Sequence, residues 1–319
     1  MTPVALPLLT LAVALTAPIH DDWIQAGGAA ACSGTDVDFS DPQHGFASCA
    51  FSSVMVTDNG GLDWRVLDTG LQQSLVFAHA VGADDLYAAR LGLYHSTDRG
   101  VTWRELGDLS ANFGSVFDVH FGEGGRLVAI QGGTLLVSDD GGSSWQTAYP
   151  GEFGVYFDEL HFPAAQTGYA TGGNTTEQGS AGSVLRSDDG GTSWTLLPFT
   201  HGEIVAADFF DANAGVVATQ QAQMYATADG GSSWQLLGPL PDGAILLDLA
   251  HRGPEHWYGV SIQGCLYETR NAGVDWQTGY CDAGGRALAA MTVSGGAAVA
   301  VGNDGLALYE NRIFRDGLD

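Results

Sequence analysis

The chain has no lysine. Its eleven basic residues are all arginine and stand against thirty-seven acidic residues, for a formal net charge of -26. A surface this acidic is repelled by phosphate backbones and by anionic lipid, so nucleic acid is excluded as a partner. Long apolar runs are also scarce. Residues 1–17 (MTPVALPLLTLAVALTA) form the one extended apolar stretch, and it is too short to span a bilayer. It carries small residues where a signal peptidase reads, with Ala12-Val13-Ala14 favoured because Pro18 hinders cutting after Ala17. It lacks the usual positive charge at its start. We expect an export signal over 1–17, a single domain over 18–319, no membrane insertion, and a secreted, periplasmic or cell-surface location. Ala29-Ala30-Ala31-Cys32 has the look of a lipid-attachment box but lies beyond His20, Asp21 and Asp22, outside the apolar stretch, and is set aside.

Cysteine is rare as well: there are four, none in C-x-x-C spacing, which disfavours a metal cluster and suits disulfides in an exported chain. No Gly-rich loop leads into a helical pattern, so a phosphate cradle is not expected. Neither a cofactor nor a metal is anticipated.

What is abundant is glycine, 46 residues, together with eight tryptophans, and both recur in one octet. Its copies are 57–64 (TDNGGLDW), 96–103 (STDRGVTW), 138–145 (SDDGGSSW), 187–194 (SDDGGTSW), 227–234 (TADGGSSW) and 269–276 (TRNAGVDW). Each reads as a tight turn between strands. The opening Ser or Thr and the Asp or Asn two residues later (Asn59, Asp98, Asp140, Asp189, Asp229, Asn271) can accept backbone N–H bonds. The fifth-position Gly supplies a left-handed conformation. The closing tryptophan (Trp64, Trp103, Trp145, Trp194, Trp234, Trp276) starts the next strand and has a large surface to bury.

The tryptophan intervals are 39, 42, 49, 40 and 42 residues, the length of a four-stranded propeller blade. After Trp276 three more strands can be read, over 287–293, 297–302 and 306–311, with no octet behind them. Trp23 precedes Trp64 by 41 residues and heads a short strand. The sequence therefore predicts an all-β, seven-bladed β-propeller of four-stranded antiparallel blades, at roughly 33–67, 74–107, 115–149, 155–198, 204–238, 245–279 and 286–315, with 22–26 completing the last blade. Six blades, with Trp23 outside the ring, is the alternative.

The octet resembles the Asp-box, or BNR repeat, of sialidases, sortilin-type receptors, xyloglucan hydrolases and photosystem II assembly-factor-like propellers. The run from Gly168 through Thr171-Gly172 to Val184-Leu185-Arg186-Ser187 is most similar to the last group, as is Val128 to Gly133 before Ser138. The resemblance implies a propeller with all its octets on one face, and it does not by itself imply one activity. For a sialidase it implies three arginines, a Tyr–Glu pair and an Asp. The Arg-Ile-Pro segment of that family is absent, and Arg65, Arg99, Arg104, Arg186 and Arg270 lie in or beside octets. A xyloglucan-type site needs opposed carboxylates in a cleft between two propellers. Asp118 and Glu159 occupy matching repeat positions, which favours a structural role, and His120 and His161 recur in the same way and are expected to pack with hydrogen-bonded rings. An assembly factor of the photosystem type is expected to offer an Arg-rich patch, whereas the arginines here are scattered.

Ligands of such propellers usually meet the face opposite the octets. Its second-to-third-strand loops contain Arg90, Gln131, Gln220, Gln221, Gln263 and Asn303, and its inter-blade loops contain Tyr156, His201 and Arg286. Amides beside aromatics suit a peptide backbone or a glycan. Residues 171–183, rich in Gly, Ser and Thr, read as a long loop, either one that carries contacts or a flexible insertion, with a glycosylation sequon at Asn174-Thr175-Thr176. The positions of the cysteines in such loops favour Cys32–Cys49 and Cys265–Cys281 among the three possible pairings. The leading expectation is an exported, non-enzymatic, monomeric scaffold that binds a protein or glycan partner. A divergent glycoside hydrolase and a photosystem-assembly-factor-like protein are the alternatives.

Overall fold

The computed structural model describes residues 23–28, 32–107, 109, 114–176, 179–294 and 297–310. The expected export signal over 1–17 lies outside them. Seven four-stranded antiparallel sheets follow one another along the chain. Blade 1 is Gly34–Phe39, Gly45–Cys49, Ser53–Thr57 and Arg65–Asp68; blade 2 is Phe77–Ala80, Leu86–Ala89, Leu93–Ser96 and Arg104–Leu106; blade 3 is Val116–Phe121, Leu127–Gln131, Thr134–Ser138 and Gln146–Tyr149. Blade 4 is Val155–Ala164, Thr167–Thr176, Gly179–Ser187 and Thr195–Leu197; blade 5 is Ile204–Phe209, Gly215–Thr219, Gln223–Thr227 and Gln235–Pro239; blade 6 is Leu246–Gly253, His256–Ser261, Cys265–Thr269 and Gln277–Cys281. Blade 7 takes Leu288–Ser294, Ala297–Gly302 and Ala307–Glu310 from the C-terminal end and Trp23–Gln25 from the N-terminal end, paired Trp23 to Glu310, Ile24 to Tyr309 and Gln25 to Leu308. The first strands of successive blades neighbour one another all the way round, blade 7 meeting blade 1, so the ring is closed and the six-bladed alternative falls. Both predicted disulfides, Cys32–Cys49 and Cys265–Cys281, are present.

Each octet joins the third strand of its blade to the fourth. Ser138 Oγ accepts from the N–H groups of Asp140 and Gly142 and donates to Asp140 Oδ1, which in turn accepts from Ser144 N; Asp140 Oδ2 accepts from Ser144 Oγ. These bonds hold the Asp140 carboxyl down to about 2, the Ser144 hydroxyl contributing most. The fifth-position glycines have φ between 79° and 89°, and the fourth position is left-handed too, even where it is Arg99 (φ 63°) or Ala272 (φ 56°).

Two octets reverse the polarity of this bond. Where the third residue is Asn59 or Asn271, the seventh is Asp63 or Asp275, and the amide donates to the carboxylate at 3.2 and 3.1 Å. Asn59→Asp alone would face two carboxylates and is expected to cost about 1 kcal/mol, whereas the double change with Asp63→Ser restores the Asp–Ser arrangement and should recover most of it. Chemical denaturation of the single and double variants reads the difference.

Neighbouring blades are tied at two levels. In the channel, Asp36 Oδ2 accepts from Ala78 N (2.8 Å), Asp118 Oδ2 from Leu160 N (2.6 Å), Glu159 Oε2 from Ala207 N (3.0 Å) and Asp248 Oδ2 from Met291 N (2.7 Å), each reaching into the next blade. On the octet side, Arg126 Nη1 donates to Asp189 O, Gly190 O and Thr192 Oγ1, Arg186 Nη1 to Ala212 O and Gly230 O, Arg99 pairs with Asp58, and Arg252 pairs with Glu310 at 2.5 Å. The arginines that look scattered in sequence thus brace one blade against the next.

Within 171–183, residues 171–176 and 179–183 are strand and not loop. The second and third strands of blade 4 continue as a ladder in unbroken register from Gly168 opposite Ser187 out to Thr176 opposite Gly179. Composition misleads here because Gly, Ser and Thr are compatible with a strand once both flanks are held. The flanks are held: Thr175 N donates to Gly154 O at 2.9 Å and Gly182 N to His201 O at 3.1 Å.

Candidate functional site on the loop face

The extended hairpin of blade 4 stands beside the loops opposite the octets, and polar side chains gather at its base. Tyr156, at the start of the first strand of blade 4, donates its hydroxyl to Glu203, which immediately precedes the first strand of blade 5. Glycine makes room for this pair, since a Cβ on Gly173 would lie 2.6 Å from Tyr156 Oη and 2.9 Å from Glu203 Cγ. Burial, with the Glu203 carboxylate next, pushes the Tyr156 hydroxyl well above the ordinary tyrosine range. Asp158, two residues along, is raised to about 6 by burial and by the charges of Glu159 and Glu203. His201 stacks on Tyr225 at 4.1 Å and meets Phe199 edge-on at 5.2 Å. Gln220 N donates to Glu203 O at 2.9 Å, which brings the turn holding Gln220 and Gln221 alongside. A Cβ on Gly202 would lie 1.5 Å from Gln221 Oε1.

Tyr156, His201, Gln220 and Gln221 of the sequence-derived set therefore converge between blades 4 and 5. Tyr156 sits in a strand rather than in the inter-blade loop expected for it. Arg90, Gln263 and Asn303 lie apart, in the second-to-third-strand turns of blades 2, 6 and 7. Arg286 also lies apart, between blades 6 and 7, with its guanidinium on Asp282 at 2.7 Å. Gln131 ends the second strand of blade 3 instead of lying in the loop expected for it, and is turned inward: only 4% exposed, it donates through Nε2 to Leu109 O and Gly114 O in the connection from blade 2. Glu203 was missed, because a lone acid in a loop carries no signal until Tyr156 is placed beside it. Also missed were large apolar side chains exposed on this face, Phe51, Leu91 and Ile262 on second-to-third-strand turns; Phe153, in the inter-blade loop one turn before Tyr156, is exposed with them.

Asp118 and Glu159, weighed above as opposed acids, each accept an inter-blade N–H bond already described, and Asp248 does the same. Among the described residues no group of three or more His, Cys, Asp or Glu is arranged to hold a metal ion. No helix of the described chain is long and apolar enough to cross a membrane.

No protein-family model matches the chain. The photosystem II assembly lipoprotein Ycf48 of Synechococcus sp. (strain CC9902) is 30% identical to it over 129 residues, 39% of this chain. The chain resembles Ycf48. The match spans only 39% of that relative's own length. Over the whole propeller, the structure of YCF48 from Cyanidioschyzon merolae superposes with a TM-score of 0.71 at 18% identity, covering 91% of this chain and 98% of that one. A structure of YCF48 bound to D1 peptide gives 0.73 at 20%, covering 92% and 97%. At these identities the structural likeness to the two YCF48 structures establishes the fold alone, a seven-bladed β-propeller. Cys32 has its sulfur in the disulfide to Cys49, so it is not free for lipid attachment in this fold.

Proposed function

We propose that the chain is an exported, non-enzymatic scaffold that binds an extended segment of a protein partner on the loop face between blades 4 and 5. The observation that carries this reading is the convergence of Tyr156, Glu203, His201 and Gln220 at the foot of a rigid hairpin, with Phe153 fully exposed beside them. Hydroxyl, carboxylate and amide groups next to aromatic rings match the alternating N–H, C=O and apolar side chains of a peptide. A peptide is favoured over a glycan because one solved Ycf48 is described as bound to D1 peptide. The acidic surface selects a neutral or basic segment over an acidic one. Two disulfides and the apolar leader support export.

An array of 15-residue peptides graded from acidic to basic tests this reading, alongside a glycan array. Neutral and basic peptides are expected to be retained, and Tyr156→Phe and His201→Ala are each expected to weaken them about tenfold, the effect of losing one or two good contacts. Retention of glycans alone, or peptide binding indifferent to both substitutions, would contradict the proposal.

A further inference from the structure

The octet side holds a second concavity, unrelated to the loop face. Between blades 3 and 4 a cleft of about 480 Å³ opens where the turns after their first strands diverge. Phe121 and Phe162 give it apolar walls, His120 and Arg126 line the blade 3 side, and Gln166 lines the blade 4 side. Three polar groups reach it without a hydrogen-bond partner among the described residues: the imidazole of His120, Nη2 of Arg126 and the side-chain amide of Gln166. His120 was expected to have a hydrogen-bonded ring. Instead it stacks on Phe162 at 3.9 Å, whereas His161 reaches Glu159 at 3.4 Å.

Arg126 is already immobilised, with Nε on Asp139 Oδ1 at 2.8 Å and Nη1 on the blade 4 octet, so Nη2 is oriented before any ligand arrives. Burial, and His79 nearby, hold His120 down to about 4, which leaves a neutral ring with one donor and one acceptor at physiological pH. Glu123 on the rim and Asp139 on the arginine repel a full anion, while a carbonyl oxygen meets only the fixed Nη2.

We infer that this cleft binds a neutral peptide unit, its apolar side chain against Phe121 and Phe162, its carbonyl on Arg126 Nη2 and its amide groups on Gln166 and His120. A few convergent polar groups beside aromatic walls are a usual feature of such sites.

The probe is N-acetyl-L-leucinamide, titrated into full-length protein labelled with 13C at alanine methyls. Saturable shifts of the Ala164 and Ala165 methyls are expected, with a Kd on the order of millimolar for so small a ligand. Gln166→Ala should weaken binding at least fivefold. Ala165→Trp, an exposed position at the cleft, should abolish it while leaving the thermal midpoint unchanged. N-acetyl-L-leucinate, the same body with a full negative charge, should bind about tenfold more weakly. Shifts that do not saturate, that survive Gln166→Ala, or that are as strong with the anion would overturn the inference. Should Ala165→Trp fail to fold, Gln166→Ala and the anion decide alone.

Discussion

Replacing Trp23 by alanine is expected to destabilise the propeller by about 3–5 kcal/mol, the range for removing a buried indole, and to lower its thermal midpoint by roughly 10 °C. Trp23 is 8% exposed, meets Tyr258 edge-on at 5.8 Å, and opens the strand that pairs with Ala307–Glu310. Its loss therefore removes core packing and the anchor of ring closure together. Tyr258 also donates to Glu310 Oε1 at 3.2 Å, and Arg252 pairs with the same carboxylate, so the seam between blades 6 and 7 carries a buried ionic contact behind the indole. Thermal unfolding, with limited proteolysis at the seam, reads the effect. A loss below about 1 kcal/mol would mean that Trp23–Gln25 is an ornament on a ring that closes without it.

The second large effect is a stability that falls as pH rises toward neutrality. Burial lifts the Asp36 carboxyl to about 7 and that of Asp118 to about 6, against the backbone N–H bonds that lower both. Asp248 is raised well above its ordinary value by burial and by the charge of Glu159. A carboxyl whose pKa is higher in the folded chain holds its proton there while the unfolded chain has released it. Its contribution is present below about pH 4 and is lost as pH climbs through the folded value. Octet carboxyls act the other way, since Asp140, held near 2, contributes above about pH 4 and loses that contribution only in stronger acid. The two sets together place maximum stability near pH 4–5. Between pH 5 and pH 8 Asp36 and Asp118 are expected to lose on the order of 2 kcal/mol each. Asp36→Asn removes one titrating group and should flatten the profile over pH 5–8. A midpoint constant across that range would exclude protonated carboxyls in the channel.

The octets made the blade count legible because every position in them answers to a local demand: an Oγ for two N–H groups, a left-handed fifth residue, an indole for the next strand. Such demands are written in a few adjacent residues. The Asn59–Asp63 and Asn271–Asp275 reversals were equally open to reading, because donor and acceptor change places within one octet. The blade 4 hairpin was not, since its order comes from Gly154 and His201, distant in the chain, gripping residues whose own propensities favour loops. Gln131 illustrates the opposite failure: an amide in a predicted surface turn rotates inward when the carbonyls of Leu109 and Gly114 lie within reach. The Tyr156–Glu203 pair joins two blades, and no spacing rule connects a tyrosine at the start of one first strand with an acid just ahead of the next.

Hydrogen exchange, with and without the best-retained basic 15-residue peptide from the array, tests the loop-face reading most directly. Slowed exchange is expected at 153–157, at 172–182 in the hairpin, and at 199–203 and 219–223, with the octets unchanged. Protection confined to the octet turns, or no protection under saturating peptide, would contradict it.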